Sequence, residues 1–328
     1  MRSLVTGAAG FAGSHLTELL LRRGREVFGL TQAGQGLDNL RDALAGPAAA
    51  RLTLIEGDVL DRSGLPAILK DVRPDEVYHL AALSSVRQSL EDPAATFGVN
   101  VHGTQALLDA VLASDCRPRI LYVGSAEAYG ESARTPRPLV EEDRLLPVTP
   151  YGTSKAAAER VVCRYGWERG LHLVRVRPFP HTGPRQSPQF VYPDLARQLA
   201  EIRAGVREPA LDVGNLEVRR DLTDVRDMAA AYVLAVERGE PGAVYNLCSG
   251  RAWALREVLD LLIALGGVRV RVSVRQERLR PQDLEVLAGD ATAFRQRTGW
   301  CPGLPLERTL ADLLAYWQAR QTGEALAG

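Results

Sequence analysis

The chain has 328 residues, of which 46% are hydrophobic, and it is long enough for one large domain that carries a smaller second one. Forty basic residues balance forty acidic ones. Without net charge, no long-range field attracts nucleic acid or an anionic membrane, so a small-molecule partner is expected.

The cysteines and the apolar runs bear on the compartment of the protein. The four cysteines are far apart and form no CxxC or Cys/His ligand spacing. No run approaches the ~18 apolar residues of a membrane span. We therefore predict a cytoplasmic protein with reduced thiols, no membrane association and no metal.

Short apolar runs alternate with helical patterns through the first half of the chain. This alternation predicts a parallel sheet with helices on both faces. Helical spacing is clearest from about Pro93 to Ala113, and a second helix starts near Thr153. Either helix could have two apolar faces and support a homodimer, although burial against the sheet alone explains the pattern equally well. The predicted strands are Ser3–Thr6, Glu26–Leu30, Leu52–Ile55, Glu76–Leu80, Ile120–Gly124 and Leu173–Arg177.

Prolines and glycines interrupt the pattern after Arg177, so the chain is expected to leave the regular sheet there. A helix from Asp224 to about Glu237 and a strand at Val244–Leu247 then return to the first domain. From Ser249 onward the pattern is typical of a helix, a strand and a closing helix from Leu306 to Ala319. The last residues, Gln321 to Gly328, are expected to fray.

A glycine-rich loop runs from Gly7 through Ala8, Ala9, Gly10, Phe11 and Ala12 to Gly13. It follows the first strand and opens a helix, which is the context of a dinucleotide-binding loop. Glycines allow a tight turn and a close approach to a pyrophosphate, whose charge is met by the free amides of the helix N-terminus. Asp58, after the third strand, could accept a hydrogen bond from an adenine amino group. A glycine-rich turn without a ligand is the alternative.

The end of the second strand bears on the choice between NADP and NAD. NAD-binding proteins normally have an acid there for the ribose 2′-hydroxyl, whereas this chain has Thr31 and Gln32. Without the carboxylate nothing repels a 2′-phosphate, so NADP(H) is expected. The arginine that often binds this phosphate is also missing, and NAD(H) therefore stays possible.

Three residues suggest the chemistry. Tyr151 and Lys155 stand four residues apart at the start of a helix and share one face. Ser125 lies just beyond the fifth strand, at the edge where open α/β sheets bind ligands. Reduction of a ketone needs a proton donor, and a tyrosine with a pKa near ~10 serves well only if a nearby ammonium lowers that pKa. We predict that Tyr151 donates the proton, Lys155 lowers its pKa and Ser125 orients the ketone oxygen. His79, at a strand end, is expected to be structural.

With these motifs the chain resembles the extended short-chain dehydrogenase/reductases over almost its whole length. The matching elements are the GxxGxxG loop, Asp58-Val59, His79-Leu80-Ala81-Ala82, Asn100-Val101 with Gly103-Thr104, and Tyr151 to Lys155. The resemblance implies an α/β fold, a Rossmann-like doubly wound parallel sheet with a smaller C-terminal substrate-binding domain. The expected division is 1–177 plus about 224–248 for the NADP-binding domain, and 178–223 and 249–328 for the nucleotide-sugar-binding domain. The implied cofactor-binding residues are Gly7, Ala9, Gly10, Phe11, Ala12, Gly13, Thr31, Asp58, Val59, Leu80, Ala81, Ala82, Tyr151 and Lys155.

The later half is similar to the GDP-mannose branch of this superfamily, above all to the GDP-4-keto-6-deoxy-D-mannose reductases. The similarity implies a GDP-sugar beneath the second domain. Guanidinium groups suit its diphosphate, although a solvated surface also explains the arginines. Pro180 stands where the family usually has a substrate-contacting asparagine, so a different substrate or affinity is possible. The similar stretches are Arg177-Pro178-Phe179 with His181 and Gly183-Pro184, Val213 to Glu217, Arg220-Asp221, Thr223 to Asp227, and Leu279-Arg280-Pro281. The implied substrate-binding residues are Ser85, Pro180, Arg197, Asn215, Arg220 and Arg280.

The resemblance implies NADPH-dependent reduction of GDP-4-keto-6-deoxy-D-mannose to GDP-D-rhamnose, and two alternatives stay open. A GDP-mannose 4,6-dehydratase also uses the tyrosine and lysine, but it needs a base and a proton donor for the elimination of water. Glu127 could be that base, and reductases of this branch carry the glutamate too, whereas Ala126 has no proton to give. A non-catalytic dinucleotide-sensing scaffold is the second alternative.

Overall fold

The structure is a computed structural model that describes residues 1–276 and 284–322. Its strands, in chain order, are β1 (Arg2–Thr6), β2 (Glu26–Thr31), β3 (Leu52–Glu56), β4 (Glu76–His79), β5 (Arg119–Val123), β6 (Leu173–Pro178), β7 (His181–Thr182), β8 (Ala210–Val213), β9 (Arg219–Asp221), β10 (Thr223–Asp224), β11 (Val244–Leu247), β12 (Ala252–Ala254), β13 (Arg271–Val274) and β14 (Val286–Leu287). Its α-helices are α1 (Phe11–Arg22), α2 (Arg41–Ala45), α3 (Gly64–Val72), α4 (Val86–Glu91), α5 (Pro93–Phe97), α6 (Thr104–Ala113), α7 (Pro150–Arg169), α8 (Val191–Arg203), α9 (Val225–Arg238), α10 (Leu255–Gly266), α11 (Thr292–Thr298) and α12 (Leu306–Gln321).

The central element is a seven-stranded parallel sheet with the spatial order β11-β6-β5-β4-β1-β2-β3. Its strands are rich in fully buried valine and leucine, such as Val5, Val77 and Leu121, because helices cover both faces. Each such side chain stabilises the fold by about 1.5–3 kcal/mol. The predicted α/β doubly wound sheet is confirmed, and the predicted strand ends are correct to within one residue.

The strand order reverses direction between β1 and β4, which creates a crevice at their carboxyl ends. On one face α1 packs against α9, and on the other face α3 and α7 pack against α6. Strand β4 ends at His79, one residue before the predicted end, because the amide of Ala81 donates to the Thr6 hydroxyl (3.1 Å) instead of continuing the ladder. The glycine loop after β1 and the segment after β4 therefore meet in this crevice.

The predicted continuous helix from Pro93 to Ala113 is wrong in its middle. A π-helical segment, Gly98–Gly103, separates α5 from α6. The Thr104 hydroxyl donates to the carbonyl of Asn100 (2.6 Å), and the Asn100 side chain bonds both backbone groups of Leu83. These bonds hold the wider turn, which periodicity cannot reveal.

Helix α7 begins at Pro150 and not near Thr153 as predicted. Thr149 caps the helix, since its hydroxyl accepts a hydrogen bond from the amide of Gly152 (3.0 Å). Pro150 suits the first helical position, because the amide hydrogen that proline lacks would have no partner within the helix there. The earlier start puts Tyr151 inside the first turn.

A separate hydrophobic cluster is built mainly from α8, α10 and α12. Residues 284–300 do not join it, because Leu284, Leu287, Phe294 and Trp300 pack into the core of the central sheet. The division into two domains stays a prediction. Residues 284–300 fall in the predicted nucleotide-sugar-binding domain by sequence, but they pack into the core of the predicted NADP-binding domain. The predicted order of helix, strand and closing helix after Ser249 misses β12, which pairs antiparallel with β9 before α10, and it also misses β14 and α11. Helix α12 extends to Gln321, and residues 323–328 lie outside the described residues.

Candidate active site

The glycine loop is closely packed. Gly7 has a φ of +72°, and a Cβ on it would lie 2.9 Å from the amide nitrogen of Ala81. A Cβ on Gly13 would collide with the carbonyl oxygen of Gly7. Gly10 is the N-cap of α1 and supplies no side-chain cap, so the first amides of the helix are available to an anion. The loop therefore fits a dinucleotide pyrophosphate.

We expect Gly13→Ala to weaken dinucleotide binding by on the order of tenfold or more, because the added methyl group must displace the Gly7 carbonyl. Fluorescence titration with NADPH measures the effect. Gly166→Ala is the matched control, since its Cβ would meet only Leu173 at 3.8 Å. Equal affinity of both variants for NADPH would contradict this interpretation of the loop.

The predicted adenosine-side residues lie at the carboxyl ends of β2 and β3. Thr31 ends β2 and is buried, and Asp58 follows β3. One Asp58 oxygen accepts from the amide of Leu60 (2.8 Å), and the other accepts from the Gln32 side chain (3.4 Å). The buried Val59 packs against Gly103, at which a Cβ would approach Val59 to 2.8 Å. The structure thus brings this end of the proposed cofactor site together.

Ser125, Tyr151 and Lys155 meet beyond the carboxyl end of β5, and all three are at most 8% exposed. The Ser125 hydroxyl accepts from the amide of Glu127 (3.2 Å) and is close enough to the Tyr151 phenol to affect its pKa through hydrogen bonding. The ammonium of Lys155 donates to the carbonyl of Val123 (2.9 Å), two residues before Ser125. Glu127 lies in the short helical turn Ala126–Ala128, close enough for its charge to act on Tyr151.

Burial controls the charges of this site. Burial raises the pKa of Tyr151 to about 12, the Ser125 hydrogen bond opposes this effect, and the charge of Glu127 adds to it. Burial also lowers the pKa of Lys155 to about 8. Loss of water thus outweighs the expected lowering of the Tyr151 pKa by Lys155, whose ammonium donates to Val123. Tyr151 is a neutral phenol near pH 7.

Polar side chains to which the sequence analysis assigned no role hold the catalytic helix. The amide of Tyr151 donates to the Ser89 hydroxyl (3.1 Å), and its carbonyl accepts from the Ser154 hydroxyl (2.7 Å). Ser154 accepts in turn from the Asn100 side chain (2.9 Å). No local spacing reveals these bonds, since Asn100 and Ser154 are 54 residues apart.

The predicted substrate-binding residues that the structure describes differ in their local contacts. Ser85 is buried as the N-cap of α4, and the carbonyl of Pro180, just after β6, accepts from the amide of Thr223 (3.1 Å). The Asn215 side chain is used in a turn, where it accepts from the amide of Glu217 (2.9 Å). The three arginines differ in their surroundings. Arg197 pairs with Asp194 (2.8 Å) and Glu201 on its own helix, half-buried Arg220 donates to the carbonyl of Leu284 (2.8 Å), and Arg280 lies outside the described residues.

A ring stack joins the glycine loop to the segment after β6. The ring of Phe11 lies parallel to that of His181, with centroids 5.8 Å apart, and edge-on to that of His15 at 5.9 Å. His15 also bonds the carbonyl of Pro184 through Nε2 (3.0 Å). The proposed dinucleotide loop and the proposed substrate segment therefore touch directly.

The sheet, the glycine loop and the Ser125–Tyr151–Lys155 group define a nicotinamide-dependent enzyme of the extended short-chain dehydrogenase/reductase class. The family model described as GDP-mannose 4,6 dehydratase matches residues 4–313, and the chain belongs to this family. The GDP-6-deoxy-D-mannose reductase of Pseudomonas aeruginosa is 34% identical over 97% of this chain and 98% of its own. GDP-mannose 4,6 dehydratase 1 of Arabidopsis thaliana is 32% identical over 93% and 86%.

A solved structure described as RMD from Pseudomonas aeruginosa complexed with NADPH superposes with a TM-score of 0.81 at 32% identity. The match covers 97% of this chain and 99% of that one. The resemblance predicted from the motifs is thereby confirmed.

Proposed function

We propose that the protein reduces the 4-keto group of GDP-4-keto-6-deoxy-D-mannose with NADPH and forms GDP-D-rhamnose. The observation that carries the proposal is the buried Ser125–Tyr151–Lys155 group at the sheet edge that also holds the glycine loop. The names of the bacterial reductase and of the NADPH-bound structure support the substrate and the cofactor. NAD(H) stays possible, because Thr31 is neither the acid that binds the ribose 2′-hydroxyl of NAD nor the arginine that binds the 2′-phosphate of NADP.

The chain's own residues supply the proton and the orientation. When bound, NADPH supplies the hydride that reduces carbon 4. Tyr151 donates its phenolic proton to the ketone oxygen, and because its pKa is about 12 it is already protonated near neutrality. Ser125 orients the same oxygen, and the Lys155 ammonium, held by the carbonyl of Val123 two residues before Ser125, supplies positive charge to the site as Tyr151 gives up its proton.

A 4,6-dehydratase is the second candidate, because the family model and several relatives carry that name. Such an enzyme also needs a proton donor for the departing hydroxyl, and Ala126, which is 1% exposed, has no proton to give. This observation favours the reductase.

Purified protein should be given either GDP-mannose or GDP-4-keto-6-deoxy-D-mannose, each with NADPH. The reductase oxidises NADPH only with the keto sugar. A dehydratase converts GDP-mannose without net change of the cofactor, and a dinucleotide-sensing scaffold does neither. Absorbance at the nicotinamide band and chromatography of the sugar products distinguish these results.

We expect kcat/KM for the keto sugar to fall as the pH rises through about 8, where Lys155 loses its charge, whereas Tyr151, with a pKa of about 12, stays protonated there.

The free energy of unfolding should rise over the same pH range. Since the Lys155 pKa is lowered from 10.5 on folding, the unfolded state binds more protons between about pH 8 and 10.5, and stability rises with pH in that window. Rate–pH profiles test the kinetic prediction, and the profile of Lys155→Met should lack the fall in kcat/KM at alkaline pH. A fall that persists in Lys155→Met must come from another group.

The substrate contacts, the domain boundaries and the assembly belong to the proposal as well. Its proposed diphosphate ligands include Arg220, which is half-buried and donates to the carbonyl of Leu284, and Arg197, which pairs with Asp194 within α8. A homodimer through α6 and α7 is supported by Trp167 of α7, which is 89% exposed. A cytoplasmic location is supported by four free cysteines. Among the described helices none is both long and apolar enough to cross a bilayer.

A further inference from the structure

His79 lies at the end of β4 and is 4% exposed. Both of its ring nitrogens have a partner. Nδ1 is 2.9 Å from the hydroxyl of Thr6 on β1, and Nε2 is 2.9 Å from the hydroxyl of Thr104 on α6. The ring therefore bridges a strand under the glycine loop and the helix that follows the π-helical segment.

The neighbouring bonds fix which nitrogen carries the proton. Thr104 has one hydroxyl hydrogen, and it donates that hydrogen to the carbonyl of Asn100 (2.6 Å). It must then accept from His79, so Nε2 is protonated. Nδ1 is consequently an acceptor and takes the hydrogen of Thr6, whose oxygen accepts from the amide of Ala81 (3.1 Å). With this assignment, each hydrogen in the series Ala81–Thr6–His79–Thr104–Asn100 has one acceptor.

The two ends of the chain lie at the two functional parts of the site. At one end, Ala81 packs against the glycine loop, where a Cβ on Gly7 would come within 2.9 Å of its amide nitrogen. At the other end, Asn100 donates to Ser154 (2.9 Å), which donates to the carbonyl of Tyr151 (2.7 Å). The hydrogen bonds thus run from the dinucleotide loop to the catalytic helix.

We propose that His79 is a positioning residue that sets the dinucleotide loop and the catalytic helix relative to each other, its Nδ1 side serving the loop and its Nε2 side serving the helix. A charged ring would lose the acceptor that Thr6 needs. Burial, reinforced by the positive charge of Lys155, lowers the pKa of His79 to about 3, so the bridge persists over the ordinary working range. Only the kinetic part of the test rests on the proposed function.

Two amide variants separate the two sides. The side-chain carbonyl oxygen that His79→Asn introduces falls near the former Nδ1 and keeps the Thr6 bond, whereas the longer amide of His79→Gln reaches Thr104 and leaves Thr6 without its acceptor. We expect His79→Asn to bind NADPH normally and to lose roughly tenfold in kcat, the size of one lost buried hydrogen bond. We expect His79→Gln to show the reverse, with roughly tenfold weaker NADPH binding and nearly normal kcat.

Threonine variants supply the matched pair if either histidine variant does not fold. Thr104→Val removes the Nε2 partner and should behave as His79→Asn, and Thr6→Val should behave as His79→Gln. Titration with NADPH alone gives the binding data. Hydrogen exchange of the amides of residues 151–155 reports on the helix side without any sugar. If the wild-type protein does not reduce the keto sugar, the proposed function fails, while titration and hydrogen exchange still test His79.

Nitrogen NMR of the histidine ring tests the assignment directly. We expect a neutral ring protonated at Nε2 at pH 7. A ring protonated at Nδ1, or at both nitrogens, would overturn the proposal. Variants that lose NADPH affinity and helix protection in equal proportion would overturn it too, because a merely structural histidine has no reason to separate the two effects.

Discussion

Tyr151→Phe should lower kcat for ketone reduction by about 10²–10⁴-fold and leave the Kd for NADPH nearly unchanged. The substitution removes one oxygen, which is the proton donor, and the ring keeps its buried place beside Ser125. The loss should fall on kcat rather than on sugar binding, because the proton is needed only as the ketone oxygen gains charge. Steady-state rates with the keto sugar and a fluorescence titration with NADPH measure the two quantities.

Tyr165→Phe is the matched control for this variant. It removes a phenol from the same helix, but that phenol is bonded to Asp109 outside the active site. Its kcat should equal that of the wild type. A Tyr151→Phe enzyme that keeps most of its kcat would show that another group or a water molecule protonates the ketone oxygen.

Arg177→Met should lower the free energy of unfolding by about 3–5 kcal/mol, because it leaves a buried carboxylate without its main partner. Arg177 is 5% exposed and bonds both oxygens of Glu159 (2.7 and 3.0 Å), and it also donates to the Tyr129 hydroxyl (2.8 Å). Glu159 is itself 3% exposed, and the cation left to it among the described residues is Arg175 (3.2 Å). Urea unfolding followed by circular dichroism gives the difference.

Two comparisons make the Arg177 prediction specific. Arg164→Met removes an exposed arginine from a surface pair with Glu168 and should change stability little. The double variant Arg177→Met with Glu159→Leu should recover part of the lost stability, since the buried carboxylate is gone and Arg175, which loses it as a partner, still donates to the carbonyl of Gly242 (2.6 Å). A double variant as unstable as Arg177→Met alone would mean that packing, and not charge, explains the loss.

The sheet and the glycine loop could be predicted from the sequence because their signals are local. Buried strands are short apolar runs, and the loop is defined by glycines at fixed offsets after the first of them. The meeting of Ser125 with Tyr151 and Lys155 was also predictable, since the end of a parallel strand and the start of the following helix share one sheet edge.

Other features depend on partners that are remote in the sequence. The π-helical segment is held by hydrogen bonds from Asn100 to Leu83 and Ser154, which are 17 and 54 residues away in the sequence, so local sequence patterns do not reveal them. The direction of the Tyr151 pKa shift depends on burial by the whole surrounding fold. The pairing of Arg197, by contrast, was readable in advance, because acids stand three residues before it and four after it on one helix.

The stack of Phe11 on His181 has a thermodynamic consequence for the two ligands. Phe11 belongs to the loop for the dinucleotide, and His181 follows Pro180 in the segment proposed for the sugar. If a dinucleotide shifts the Phe11 ring and with it His181, we expect the free energy of sugar binding to change as well. By reciprocity, the sugar then changes the dinucleotide affinity by the same factor, so measurement of either affinity with and without the other ligand yields one common coupling constant.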